Sequence, residues 1–349
     1  MSIVTASVWD DFVRQQPRAH ILQLSAWGEL KSAYGWQTER VVIQEGETIV
    51  AGAQLLFRHL PLHLGAMAYL PMGPYITAAP PLSACGEGAG GWGRATQLWQ
   101  AIDATARRHN ARFLKWEPGV YFETTPPDWT EFGFRPSPQT VQPRSTIVID
   151  ISGDEDAILK RMNQGTRRKI RQALKSGVRY YEGQRADVVK FTALMQVTGN
   201  RNQFGVHEPA YYERAYDLFV PNHAALILAE HEGDSLAGIM VFAVGEWAWY
   251  FYGASADAKR NLMATYGVQW QAIQWAKARG CMYYDLWGIP DADETRLEAQ
   301  FQQRSDGLWG VYGFKRGWGG TVTRSAGAGD KVYHPLVYQA YRWALRGRE

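Results

Sequence analysis

The feature that most narrows the fold of this chain is an element order that runs through it twice. Ala51-Gly52-Ala53-Gln54-Leu55-Leu56-Phe57 in the first half resembles Ala237-Gly238-Ile239-Met240-Val241-Phe242 in the second. After each comes a further strand pattern, a helix pattern, and a short apolar strand with an acid near its end. The helix-to-strand passages are 106–118 and 276–287, and the acids are Glu117 and Asp285. Repetition of order predicts two similar mixed α/β domains, and 349 residues suffice for both. Ligands favour the cleft between such domains.

Residues 7–16 predict a first helix, with Ser7 as its cap and Trp9, Phe12 and Val13 on one face. Residues 25–34 predict a second, capped by Ser25 and stopped by Gly35, with Lys31 and Tyr34 on a shared face. Strands are expected at 37–45, 48–59, 64–70 and 111–116, a flexible Pro/Gly/Ala loop at 78–91, and a helix at 92–110. Five prolines between 126 and 143 place a domain boundary near the end of that stretch. Beyond it the pattern gives a strand at 145–151, helices at 154–162, 164–175, 187–200 and 209–219, and strands at 224–230, 235–244 and 247–254. A long helix at 263–279 leads into a buried strand at 282–287. The tail, 335–348, reads as a basic amphipathic helix that packs back on the first domain or touches an anionic surface.

A net charge of +3 excludes a general polyanion binder, so any basic surface is local. Fifteen Trp and eighteen Tyr are enough to line a groove as well as a core. Cys85 and Cys281 make neither a metal pattern nor a disulfide framework. The N-terminus lacks the cationic and apolar segments of a signal peptide, and no apolar run reaches membrane-spanning length. A cytoplasmic protein is expected, with no metal and no cofactor.

Two stretches carry chemistry. Gly313-Phe314-Lys315-Arg316-Gly317-Trp318-Gly319-Gly320 reads as a glycine-rich turn that holds Lys315 close to backbone. Between Ile158 and Lys175 lie seven cations and no acid, among them Arg167, Arg168 and Arg171, a density that suits phosphates.

Helices, then an antiparallel meander, then a helix and another strand is the order of GNAT acyltransferases, which the chain resembles. Acetyl-CoA-binding members need a glycine-rich turn whose backbone N–H groups hold the pyrophosphate. The corresponding stretch here, 257–264, has no glycine, which disfavours acetyl-CoA as donor. Over almost its full length the chain also resembles the Fem-type peptidyltransferases, FemA- and FemX-like. The matching motifs, in order, are Gln23 to Trp36, Pro71-Met72-Gly73-Pro74, Lys115-Trp116-Glu117-Pro118, Lys169-Ile170-Arg171 with Gly177-Val178, Tyr283 to Pro290, and Gly313 to Gly320.

That resemblance implies two GNAT-like domains, each a mixed, mostly antiparallel sheet with flanking helices. The second is inserted in the first, giving 1–143 plus 327–349 and 144–326. There is no room for the coiled-coil arm of some members, so the chain is closer to the short FemX-like ones. It implies transfer of an amino acid from aminoacyl-tRNA to a stem-peptide amine on UDP-MurNAc-pentapeptide or its lipid-linked form, by a monomer with at most peripheral membrane contact. By the resemblance, Phe314-Lys315 is the catalytic pair, and Lys31, His207, Tyr211 and Tyr252 bind the acceptor; Tyr34, on the same face as Lys31, joins them as a substrate-binding candidate. His207 replaces the family's Arg, with Arg201 as a nearby substitute, and the basic helix at Arg167, Arg168 and Arg171 meets the tRNA. An activated ester needs no covalent enzyme intermediate; Lys315 would stabilise the oxyanion, and Asp285 reads as a general base or as a buried structural acid. Two other readings remain open at this level. One is an N-acyltransferase of the same scaffold with a different acyl donor, acting on another cell-envelope or amino-acid substrate. The other is a nucleic-acid-binding protein that has lost catalysis.

Overall fold

The computed structural model describes residues 4–77, 89–119, 128–202 and 205–345. Most of the predicted loop at 78–91, with Cys85, and the last residues of the predicted tail helix lie outside the described residues. The chain divides into two compact units, 1–142 with 325–349, and 143–324.

The sheet of the first unit has seven strands. Its order is Trp36–Glu45, Thr48–His59, Ala66–Pro71, Ala111–Glu117, Gly329–Val332 and Arg135–Pro136, with Tyr75–Ile76 added beside Thr48–His59. All pairs are antiparallel except Ala66–Pro71 with Ala111–Glu117. Parallel neighbours need a crossover, and helix Ala89–Arg108 supplies it. Its Leu98, Trp99 and Ile102 are buried on the sheet against Leu55, Leu114 and Trp116. Helix Pro335–Leu345 packs on the same unit, where buried Tyr338 donates to Asp330 at 2.6 Å and meets Phe113 edge-on.

The second unit repeats this plan. Its sheet runs Thr321–Arg324, Ser145–Asp150, Tyr283–Asp285, Trp247–Ser255, Asp234–Val244, Ala224–His231 and Arg179–Glu182. Only Trp247–Ser255 with Tyr283–Asp285 is parallel, and helix Ala264–Ala278 crosses between them. Both units are therefore mixed, mostly antiparallel sheets flanked by helices, in the GNAT-like order.

Several local expectations are corrected. Thr5, not Ser7, caps helix Ala6–Arg14, because the helix begins one residue before Ser7. Ser25 lies inside helix Ser25–Ser32; its hydroxyl goes to Asp10 of the preceding helix at 2.5 Å. That helix ends before Tyr34, which stands in the turn leading to Gly35, whose φ of +80° only glycine adopts readily. The strand expected at 282–287 is only Tyr283–Asp285, since Trp287 takes a φ of +57° and turns the chain away.

Candidate active site

The parallel strand pair in the second unit is where its sheet opens. Trp247, Ala248 and Trp249 register with Tyr283, Tyr284 and Asp285, and there the pairing stops. Strand Trp247–Ser255 continues alone while the other chain turns at Trp287. The first unit has no such parting: its parallel pair runs on to Pro71 and Glu117, and Trp116 Nε1 closes it further by donating to Gly73 O at 2.6 Å. Among the described residues, the second copy is the one that leaves a gap at this place.

Lys315 fills the gap from below. It is the last residue of helix Trp309–Lys315, not part of a glycine-rich turn as expected. Gly310 stands in this helix where a neighbour approaches closely: a Cβ there would lie 2.9 Å from Ser305 O. The turn comes later, at Gly319, with φ +78°. Lys315 is 6% exposed, and its Nζ donates to Trp287 O at 2.8 Å and Gly288 O at 2.7 Å. The same nitrogen sits 5.6 Å above the ring of Tyr250. Burial lowers its pKa to about 7, against the opposing pull of Asp285. Both carbonyl contacts are open to a neutral amine as well as to an ammonium, so protonation adds a third hydrogen and a charge that the backbone does not require.

Asp285 is itself engaged. Its Oδ1 accepts the Thr146 hydroxyl and, at 2.7 Å, Trp287 N. It shapes the chain reversal at Trp287 and faces Lys315 as a buried counter-charge, which is a structural acid's work. Phe314 packs edge-on against Tyr266 at 5.1 Å and Trp318 at 5.6 Å. Beside Phe314 and Lys315 opens a cavity of about 480 Å³, also lined by Tyr250, Gly253, Ser255 and Lys259. At Gly253 any side chain would collide with Tyr250, whose hydroxyl lies 2.1 Å from the Cβ position.

A second cluster holds His207, Tyr211 and Tyr252. His207 stacks on Tyr211 at 3.7 Å, and the hydroxyls of Tyr211 and Tyr252 lie 3.1 Å apart. Tyr250 and Tyr252 would share a sheet face in a regular strand. A bulge beside Met240 and Val241 lets Phe251 slip in, so Tyr250 turns toward Lys315 and Tyr252 toward helix Pro209–Phe219. The two clusters are therefore separate but bridged: Trp287, whose carbonyl accepts from Lys315, packs on Phe251 at 4.4 Å, and Phe251 on Tyr252 at 6.2 Å. Arg201, the expected substitute for an arginine at 207, is engaged with Asp257 at 2.8 Å and Ser255 O at 3.1 Å.

In the first unit, Lys31 is more than a solvated helix charge. It is half-buried, with Nζ 4.6 Å above the ring of Trp27. Its pKa falls to about 8, mainly by burial and then by the charge of Arg58. Trp36 pairs with Arg58 across the sheet, and Arg58 lies over the Trp36 ring at 5.5 Å. Lys31 and Arg58 are thus neighbouring cations, each over an aromatic ring.

On the basic helix, Gln164–Lys175, Arg168 and Arg171 are exposed and carry no ion pair among the described residues. Arg167 does not join them: it caps the preceding helix by donating to Met162 O at 2.6 Å. Lys169 reaches Tyr266 at 3.0 Å, and Tyr266 packs on Phe314, so the helix is tied to the cavity wall. At the start of helix Ala264–Ala278, where a pyrophosphate turn would be needed, Asp257 holds Arg260, and Lys259 is paired with Glu232 and Asp234, both at 2.9 Å.

A model of the FemAB family matches residues 4–82, 122–235 and 230–346. The chain belongs to the FemAB family. The lipid II:glycine glycyltransferase of Staphylococcus saprophyticus is 24% identical over 411 residues, covering 96% of this chain and 94% of that protein. The Staphylococcus aureus protein of the same name is 23% identical over 416 residues, covering 96% and 93%. The crystal structure of FemX matches with a TM-score of 0.84 at 21% identity, over 97% of this chain and 98% of that one. The C-terminal domain of a putative lysylphosphatidylglycerol synthetase from Agrobacterium fabrum gives 0.57 at 13% identity, over 97% and 96%. These structures establish the fold.

Three residues of this FemAB chain that reading the sequence missed take positions in the two sites: Arg58, Tyr250 and Trp287. Arg58 becomes Lys31's neighbour only through the packing of a helix by the strands. The bulge that aims Tyr250 has no local signature. Trp287 shows a weak signal, an aromatic residue just before Gly288 and Pro290.

Proposed function

We propose that this chain is an aminoacyltransferase that moves an amino acid from aminoacyl-tRNA to the stem-peptide amine of a diphosphate-bearing peptidoglycan precursor. The observation that carries the reading is the buried Lys315 amine, fixed by two carbonyls where the sheet parts and facing a cavity. The acceptor amine attacks the ester carbonyl, a C–N bond forms, and the C–O bond to the tRNA ribose breaks. The amine's proton is lost, and the ribose oxygen leaves as a hydroxyl. Negative charge gathers on the carbonyl oxygen in between, and the third hydrogen of a protonated Lys315 is available to it. Phe314 and Tyr250 form the apolar walls that keep this charge out of bulk water.

The lack of a glycine-rich turn at 257–264 argues against acetyl-CoA, while exposed Arg168 and Arg171 beside the cavity wall suit a tRNA backbone. Aminoacyl-tRNA is a cytoplasmic substrate, so the reaction is placed there. On the acceptor side, Lys31 with Arg58 is proposed as a diphosphate-binding group of the first unit, and His207, Tyr211 and Tyr252 as acceptor-binding groups of the second. The relatives named for lipid II favour a lipid-linked acceptor; a nucleotide-linked one offers the same diphosphate.

Lys31→Ala tests the acceptor half of this reading. The fold should be unaffected, because a partly exposed lysine contributes little stability. Acceptor affinity measured by calorimetry should fall roughly tenfold or more at low salt, and the difference should shrink as salt rises. Unchanged affinity would leave Lys31 as a surface charge.

A further inference from the structure

The first unit carries an apolar surface that the other described residues leave uncovered. On helix Pro335–Leu345, Tyr338 and Tyr341 face the sheet, while Leu336, Ala340 and Trp343 face outward; Leu336 is 73% and Trp343 77% exposed. A few residues after Arg58, Leu62 is 86% exposed and takes a φ of +57°. Stability alone would place Gly or Asn at such a position, not an exposed leucine. The two features are neighbours through Arg112, whose Nε donates to Leu64 O at 2.8 Å and whose carbonyl accepts His334 N at 2.9 Å.

The charge around them is mainly positive. Segments 58–67, 107–113 and 332–345 contain five arginines and no Asp or Glu. Arg108 is neutralised by Glu39, but Arg58 and Arg107 are exposed.

We propose that this end of the first unit docks on an anionic lipid bilayer. Leu62, Leu336 and Trp343 enter the headgroup boundary, and the arginines meet lipid phosphates. A second copy of the chain is disfavoured as occupant, because two such faces would bring arginine against arginine. The surface adjoins Lys31 and Arg58, since Arg58 leads directly into the Leu62 loop. Docking thus brings the proposed anion site to the membrane plane, but the inference does not depend on the transferase reading and is measured without turnover.

The experiment is co-sedimentation of the full chain with vesicles of phosphatidylglycerol and phosphatidylcholine, against phosphatidylcholine alone. Binding to the anionic vesicles only is expected, weakening as salt rises. Leu336→Glu combined with Trp343→Glu should lower the partition coefficient by about tenfold or more. Leu62→Asn should weaken binding while leaving the melting temperature equal or higher, which separates docking from folding. Absence of wild-type binding to anionic vesicles would overturn the proposal, as would equal binding by the variants. A concentration-dependent dimer that the double variant dissociates, with no vesicle binding, would overturn it in favour of self-association.

Discussion

Lys315→Met is expected to lower turnover by roughly 100-fold or more, the cost of losing one fixed donor to an oxyanion. Acceptor affinity should change far less, because the charge acts mainly in the transition state. Methionine keeps the length and apolar stem of the side chain inside the same buried channel, so loss of folding is not the expected outcome. Lys315→Arg should rescue poorly: a planar guanidinium cannot place two donors on the carbonyls of Trp287 and Gly288 and a charge where the ammonium holds it. The pH dependence follows from the pKa of about 7, depressed by burial from 10.5. The ammonium fraction falls as pH rises through about 7, so the rate should show a descending limb there that Lys315→Met removes; bound phosphates would move it upward. The stability effect has the opposite sign. Between about 7 and 10.5 the unfolded chain binds the extra proton and the folded chain does not, so stability rises with pH across that window. In Lys315→Met this contribution should be absent, leaving the smaller one of Lys31, whose pKa is lowered to about 8. If the variant instead binds acceptor weakly and turns over normally at saturation, Lys315 is a phosphate ligand and the oxyanion donor lies elsewhere.

Gly319→Ala should be the most damaging small substitution near the site. Gly319 has a φ of +78°, and a Cβ there would lie 2.2 Å from Arg161 O and 2.4 Å from its carbon. Backbone at the end of helix Glu155–Arg161 cannot yield as a flexible side chain would, and Asn163 N fixes the approach by donating to Gly317 O at 3.1 Å. Strain and overlap together should destabilise the chain by on the order of 2–4 kcal/mol, read from chemical denaturation. Gly233→Ala is the control, with a φ of +85° and open space around the Cβ, so it should cost only about 1 kcal/mol. Equal effects of the two would mean that the contact with Arg161 is not rigid.

The repeated element order was legible because it rests on hydrophobic periodicity and punctuation by Gly and Pro. Strand Thr48–His59 and helices Gln164–Lys175 and Pro209–Phe219 have the bounds the sequence predicts. The site was less legible, for physical reasons. Glycines at 313, 317, 319 and 320 read as a turn, yet glycine also serves where elements pack closely, and spacing does not separate the uses. A Cβ at Gly317 would lie 2.3 Å from the Thr166 hydroxyl, so that glycine admits the basic helix. The nearness of Arg58 to Lys31 depends on how a helix packs by the strands, and the opposite aim of Tyr250 and Tyr252 on one bulge; both are tertiary facts. The cation density of 160–175 was visible, but not that Arg167 would turn inward to cap a helix.

The donor is the most direct point of test. Purified protein given a charged tRNA and a stem-peptide precursor, nucleotide-linked or lipid-linked, should yield a product heavier by an aminoacyl residue in the mass spectrum, and removing the charged tRNA should abolish it. Acetyl-CoA in place of the tRNA should leave the precursor unchanged. An acetylated product formed from acetyl-CoA alone, with no extension from charged tRNA, would contradict the account.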